Sequence, residues 1–360
     1  MNEKNRYMYI DILKVIAIFA IILSHIRIVG GHAAVLNIPF SHFHHIGKVG
    51  VQLFLMISGA LLLNRDYPSI KEFINKKTLR LVPPYIFWMI ITLIVIGVLN
   101  QMTFNYDRMI FYINTFFNLG VNWYFWMVIG VFLAIPIINE FIKSKKVEGA
   151  KYFILIFIIA SIIYQICILF NWRSYIDLTF FITPISYVIL GYYLANKNYN
   201  LSNNSLILIG LSLFLITLSL RLILPVSSDA LYLFAANDNI HLDSFLDISI
   251  IGIIQSASLF IMFKAIDNST RGFGSKIKGF FNNKIIKNFN ISISKSSYGM
   301  YLAHMYLIMI VFKYVNSPQL TGKQMGLLIF VLSVIVLLLS WISVLIIKRI
   351  PKLNKFSGYS

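Results

Sequence analysis

The chain has 360 residues, of which 58% are apolar and only 12% are charged. Soluble domains carry about 25% charged residues, so the composition excludes a soluble globular protein and predicts one that lies in a lipid bilayer. The formal net charge is +18, but the Lys and Arg residues lie in short segments between apolar runs. That pattern indicates membrane topology and argues against nucleic acid as a partner. The single cysteine, Cys167, excludes an intrachain disulfide and a Cys-based zinc site.

Ten apolar runs are long enough to predict an all-α polytopic membrane protein of about ten transmembrane helices. They lie at 8–29, 46–63, 82–99, 123–140, 151–170, 177–195, 205–224, 245–265, 297–315 and 325–347. The first run is too long for a signal peptide and carries Asp11 and Lys14, so we interpret it as a retained helix. We interpret residues 1–350 as one transmembrane domain and 351–360 as a short cytoplasmic tail.

The distribution of basic residues predicts that both termini are cytoplasmic. With the N-terminus inside, 23 of the 31 Lys and Arg residues lie in inside segments and seven in outside segments or at outer helix ends. The segment 225–247 contains four Asp and no Lys or Arg. We expect this segment to face the exterior.

The first helix carries three ionisable residues, Asp11, Lys14 and His25. A charge near the bilayer centre costs at least about 2.5–3.5 kcal/mol, so such residues are functional candidates. Asp11 and Lys14 are three residues apart and can pair, and His25 follows Lys14 by about three turns, roughly 16 Å further along the helix. The spacing therefore predicts one polar stripe from the inner third of the membrane to its outer edge. The alternative is a buried structural pair together with an interfacial histidine.

Lys77 and Arg80 precede the third apolar run, and Pro83 and Pro84 follow within its first turn. Two cations three residues apart at the inner mouth of a helix would hold a phosphorylated ligand. The positive-inside rule and contact with anionic lipid explain the same pair equally well.

Other candidate residues carry weaker signals. Trp123 is typical of an interfacial aromatic belt, and His304, which follows Tyr301 in the ninth run, is more often a packing contact than a catalyst. Four further histidines, at 32, 42, 44 and 45, match no usual zinc pattern, so we expect no metal.

Residues of the first apolar run resemble a sequence motif of a known family. Tyr9, Asp11, Lys14 and His25 resemble the first-helix motif of the membrane-bound acyltransferase-3 family, which has Arg, ten residues and then His; Lys14 takes the Arg position. The segment 47–59 is similar to the family's second-helix motif.

The resemblance continues along most of the chain. Lys77 and Arg80, followed by Pro83 and Tyr85, resemble the family's Arg-x-x-Arg pattern, with one Lys for Arg. The segment 122–125 with Pro136 is similar to its Trp-centred fourth segment, and 297–304 to its late helix motif. Five motifs in this order are specific to the family. Since we expect no extra C-terminal extracellular domain, the chain resembles a stand-alone member, similar to the enterobacterial-common-antigen type of O-acetyltransferase.

The resemblance implies ten helices, a bacterial plasma membrane and transfer of an acyl group, usually acetyl, from acetyl-coenzyme A to hydroxyls of envelope carbohydrates. Lys77 and Arg80 would bind the donor's phosphates, Lys14 and Asp11 would line the path of its pantetheine arm, and His25 would sit by the thioester. A histidine, whose ordinary pKa is about 6.5, suits either a general base or a covalent acyl carrier. Both Lys-for-Arg changes keep the charge and lose the planar fork of guanidinium.

Two other functions are open at this stage. A polysaccharide transporter or export partner would explain the polar stripe but not a basic pair and a histidine at opposite ends of the membrane. A polysaccharide polymerase would be expected to carry a large outside loop. The identity of the acceptor, the length of the acyl group and the oligomeric state have no signal in the sequence.

Overall fold

The protein is all-helical in the part of the chain that the structure describes. A computed structural model describes residues 6–29, 46–99, 123–170, 176–223, 249–314 and 322–360, with the single residues 43, 110 and 172. These residues form helices and the turns that join them, without a strand among them. The histidines at 32, 42, 44 and 45 and the segment 225–247 lie outside this part.

The helices are α1 (Met8–Val29), α2 (Val49–Leu62), α3 (Ile70–Phe73), α4 (Val82–Leu99), α5 (Trp123–Leu169), α6 (Pro184–Asn196), α7 (Asn203–Ile223), α8 (Ile250–Asn268), α9 (Gly272–Phe281), α10 (Lys284–Tyr314) and α11 (Gly322–Arg349). A π turn (Ile74–Thr78) and a 3-10 turn (Leu79–Leu81) join α3 to α4. Six of the described helical segments are long and apolar enough to cross a membrane, and α2 is a shorter apolar helix. The chain is therefore an all-α membrane protein, as its composition predicts.

Some helices differ in extent from the apolar runs. The runs at 123–140 and 151–170 both lie within α5, which consists of two helices that meet at the non-helical residue Lys146, where φ is 49°. The run at 177–195 contains a 3-10 turn at Thr179–Phe181 and becomes α-helical at Pro184, whose missing amide hydrogen suits a first turn. The run at 297–315 is the apolar half of α10. The helix itself begins earlier than the run, at Lys284, because residues 284–296 are helical but too polar for hydropathy to detect. Hydropathy also does not detect α9, which is short and basic.

The described chain divides into two compact units. The first comprises Met1–Ser24, Ser41–Arg65 and Ile138–Ser294. Here α2 and α6 approach so closely that a Cβ on Gly59 would overlap the carbonyl oxygen of Val188, and one on Gly191 would overlap the backbone of Met56. Small residues permit such contact between membrane helices, so Gly59 in the second-helix motif is a packing residue.

The second unit comprises His25–Phe40, Asp66–Ile137 and Lys295–Ser360. In it the last residues of the chain fold back against α4 and α10. The Trp88 indole donates a hydrogen bond to the carbonyl oxygen of Ser357 at 3.2 Å, and Ser357 is fully buried. A Cβ on Gly299 would collide with the same carbonyl, and Gly358, at φ 74°, would bring its own Cβ to 2.7 Å from Gly299. The tail therefore packs as part of this unit.

The close α2–α6 approach gives a prediction about stability. Gly59→Ala and Gly191→Ala each place a methyl group on opposing backbone, so we expect each to lower the free energy of unfolding by about 2 kcal/mol or more. Gly130→Ala is the matched control, because among the described residues no atom other than the neighbouring backbone of its own helix lies within 4 Å of its Cβ position. Alanine propagates a helix better than glycine, by up to ~1 kcal/mol, so the control should be neutral or stabilising in thermal unfolding in detergent. Equal effects at all three positions would contradict the close approach.

Candidate functional site

Two histidine rings meet in the second unit. His25 of α1 and His304 of α10 have ring centroids 5.0 Å apart, with the ring planes at 78°. His304 is almost completely buried, with 1% of its surface exposed, and His25 is half-buried. The sequence contains both histidines but does not indicate that they adjoin, since they lie 279 residues apart.

The hydrogen bond of His304 determines which ring nitrogen carries its proton. Nδ1 lies at hydrogen-bonding distance from the backbone carbonyl oxygen of Tyr301. A carbonyl oxygen only accepts, so we assign the proton to Nδ1, which donates. The neutral ring then has a lone pair on Nε2, and this buried atom has no hydrogen-bond partner among the described residues. A buried polar atom without a partner costs about 1–3 kcal/mol, which makes Nε2 a candidate to accept a proton or a hydrogen bond from a ligand.

Aromatic rings surround the histidine pair. The ring of Tyr301 lies 5.6 Å from that of His304 and 4.7 Å from that of Tyr124, between centroids. Trp123 lies 5.9 Å from Tyr124. The structure therefore brings the candidates Trp123, Tyr301 and His304 into one connected set of contacts around His25.

The candidate phosphate-binding residues lie in the helical turns before α4. Ser69 caps α3 by accepting a hydrogen bond from the backbone of Glu72 at 3.1 Å. Glu72 pairs with Lys76, whereas no described carboxylate lies within ion-pair distance of Lys77 or Arg80. Lys77 is half-buried and Arg80 is exposed. We call these two cations the basic turn. Lys77 lies in the π turn, a conformation that is frequent at functional sites, and Arg80 lies in the 3-10 turn that follows.

One hydrogen bond ties the basic turn to α10. The hydroxyl of Tyr298 donates to the carbonyl oxygen of Leu81 at 2.6 Å, immediately after Arg80. Tyr301 and His304 follow Tyr298 at one and two turns, so His304 lies roughly 9 Å further along the helix axis. The second unit therefore arranges cations, aromatic rings and the histidine pair in that order along α10.

Asp11 is an anchoring residue in the first unit. Both of its carboxylate oxygens accept hydrogen bonds from Arg6 at 2.6 Å, and one also accepts from the hydroxyl of Ser294 at 2.6 Å. Lys14 lies half-buried one turn further along α1. Spacing within the helix suggested Lys14 as the partner of Asp11, and it missed Arg6, which lies just before the first helical turn, and Ser294, which is distant in sequence.

Comparison with known proteins adds a family to this geometry. A family model described as an acyltransferase domain, that of the acyltransferase-3 family, matches residues 7–346. No curated protein and no solved structure matches the chain significantly.

The Arg6–Asp11 pair gives a second prediction. Side-chain exposure is 22% for Arg6 and 8% for Asp11, so removing one partner leaves a largely desolvated charge. We expect Arg6→Met and Asp11→Leu each to lower the free energy of unfolding by about 2–3 kcal/mol. The double variant should lose much less than the sum, because it leaves neither charge unpaired. Thermal unfolding of the four proteins measures the coupling, and additive losses would show that the pair does not act as a unit.

Proposed function

Since the chain belongs to the acyltransferase-3 family, we propose that it moves an acetyl or other short acyl group from cytoplasmic acyl-coenzyme A to a hydroxyl of an envelope carbohydrate outside. The protein is an acyltransferase, and the family model covers nearly the whole chain.

One observation supports an acyl-coenzyme A donor above others. Such a donor carries phosphates at one end, an extended arm in the middle and a thioester at the other end. The second unit presents the basic turn at Lys77 and Arg80, then the Tyr298 and Tyr301 rings, then the histidine pair, in the same order. Arg and Lys without an acidic partner suit phosphate, and an imidazole at the far end suits the thioester.

The proposed reaction needs a group that accepts and returns one proton. The acceptor's hydroxyl oxygen forms a bond to the carbonyl carbon of the thioester, and its proton passes to an imidazole nitrogen. The carbon–sulfur bond breaks, its electron pair leaves on sulfur, and the imidazolium returns the proton to the thiolate. We assign the proton transfer to His25 and a positioning role to His304, whose Nε2 is oriented as an acceptor.

A covalent route uses the same residues. The imidazole nitrogen of His25 would attack the carbonyl carbon of the thioester first, and the carbon–sulfur bond would break with its electron pair on the thiolate. The acceptor's hydroxyl oxygen would then bond to the same carbon as the carbon–nitrogen bond breaks, which frees the imidazole, and the hydroxyl proton would pass to the thiolate. We retain Lys14 and Asp11 as donor-path residues on the family resemblance alone, because the Arg6 and Ser294 contacts of Asp11 do not bear on that role.

The proposal includes ten membrane crossings with both termini inside, in a bacterial plasma membrane. The charge distribution supports this topology. Contacts within the first unit support it too: the Tyr9 amide near the N-terminus donates a hydrogen bond to the Asp267 carboxylate, with which Lys278 also pairs. These contacts put the start of α1 beside the end of α8, as expected if both lie on the inner side. Single cysteines placed at positions 199 and 270 in a Cys167→Ser background should react with an impermeant thiol reagent only after cells are opened. Labelling of intact cells at either position would contradict this topology.

The histidine pair gives a prediction that separates the two roles. We expect His25→Ala to abolish acyl transfer while the amount of protein in the membrane stays normal. His304→Gln keeps a hydrogen-bonding side chain but loses the imidazole, so we expect kcat to fall on the order of 10²-fold with the KM for the donor nearly unchanged. Steady-state kinetics with acetyl-coenzyme A measures both. Acyl transfer that persists in His25→Ala would overturn the role of His25.

The basic turn gives a prediction about donor binding. Lys77→Ala and Arg80→Ala should each weaken binding of acetyl-coenzyme A about 10–100-fold, because each removes a charge-assisted contact to phosphate. Lys76→Ala is the matched control. It removes the same charge from the same turn, but Lys76 already forms an ion pair with Glu72. Titration calorimetry of the purified protein measures the dissociation constants. Saturable binding that is equally strong in the unaltered protein and the three variants would show that Lys77 and Arg80 do not bind the donor. No binding at all would favour a transporter without chemistry.

A further inference from the structure

A small cavity lies between α4 and α10 of the second unit. Its lining residues are Tyr85, Trp88, Met89, Thr92, Tyr301, Leu302 and Met305. About 20 Å³ of it is open to the centre of a water molecule, and roughly 10–15 Å³ of such space holds one water. The cavity therefore accommodates a group of about one or two heavy atoms.

The aromatic walls of the cavity are held by neighbouring rings. Tyr85 stacks on Phe125 with ring centroids 3.7 Å apart and planes at 2°. Trp88 stacks on Tyr306 at 6.0 Å, and its indole nitrogen bonds the tail at Ser357. These contacts fix the ring positions, so the aromatic walls have little freedom to adapt to a larger guest.

The remaining lining side chains are mostly apolar and adjustable. The hydroxyl of Thr92 donates to the carbonyl oxygen of Trp88 at 2.9 Å, which satisfies its polar atom within the helix. Met89 and Met305 are both largely buried, and their unbranched thioether side chains fill irregular space. A hydrocarbon guest suits such a lining better than a polar one.

The cavity adjoins the histidine pair through one residue. Tyr301 lines it and also contacts the ring of His304, at 5.6 Å between centroids. Met305 follows His304 directly in α10. Neither histidine lines the cavity, so a short hydrocarbon chain on a carbonyl carbon held at the histidines would reach the cavity beside the Tyr301 ring.

We propose that this cavity receives the hydrocarbon part of the transferred acyl group, and that Met89 and Met305 limit its length. The inference rests on the proposed acyl transfer and adds a selectivity for the donor. The cavity matches the methyl group of an acetyl donor, and a longer chain has to displace the two methionine side chains. Removing those side chains should therefore admit longer donors.

The test compares acyl-coenzyme A donors of two, four and six carbons. For Met89→Ala and Met305→Ala, we expect the ratio of kcat/KM for the four-carbon donor to that for the acetyl donor to rise on the order of tenfold, since two additional methylene groups become buried. Conversely, Met305→Phe should fill the cavity and lower kcat/KM for acetyl-coenzyme A about tenfold, while phosphate-end binding measured with free coenzyme A stays unchanged.

Met325→Ala is the matched control, because Met325 is equally buried on α11 of the same unit but does not line the cavity. It should lower thermal stability as much as the cavity variants do and leave the donor ratio unchanged. An unchanged ratio in both cavity variants, with acyl transfer intact, would overturn this inference and leave the proposed function standing. If the alanine variants do not fold, undiminished acetyl transfer by Met305→Phe overturns it. Absence of transfer from every donor by the unaltered protein would instead overturn the proposed function.

Discussion

The hydrogen bond from the hydroxyl of Tyr298 to the carbonyl oxygen of Leu81 joins the two helices on which the candidate site is built. It fixes α10 against the turn that leads into α4, directly after the basic turn. Tyr301 and His304 then follow at intervals of one helical turn. Because helices are rigid rods on this scale, one contact at the basic turn determines how far the histidine pair lies from Lys77 and Arg80.

The cost of burying polar atoms separates anchoring residues from candidates for chemistry. Asp11 is desolvated, but Arg6 and Ser294 satisfy its carboxylate, which is the arrangement of a stabilising contact. His304 is equally buried, and its Nε2 has no partner among the described residues. Among the described residues, Thr78 beside Lys77 also has an unpartnered buried hydroxyl, and His304 is distinguished by its contacts with the rings of His25 and Tyr301.

Close backbone contacts explain several small residues of the motifs without assigning them chemistry. Gly59 permits α2 to contact α6, and Gly50 lies against the carbonyl oxygen of Ala17. Gly299 leaves room for the tail at Ser357 and Gly358, and the same tail bonds Trp88 beside the cavity. The glycine of the late motif and the wall of the proposed acyl cavity therefore depend on one packing arrangement.

The sequence by itself determined that the chain lies in a membrane, that its fold is all-α, and to which family it belongs. It could do so because hydropathy, charge distribution and short motifs depend on residues near one another in the chain. It also identified His25 as a candidate, since an ionisable residue in an apolar run is costly wherever the run packs, and Lys77 with Arg80, since two cations three residues apart precede a helix. The tertiary structure alone decided which partners those residues have. Most of these contacts join residues that lie hundreds of positions apart in sequence: His25 with His304, Asp11 with Ser294, and Leu81 with Tyr298. The contact between Arg6 and Asp11 is local, but its spacing follows no regular helical period. Only the folded chain brings such pairs together, and a cavity between two helices exists only once their relative position is set.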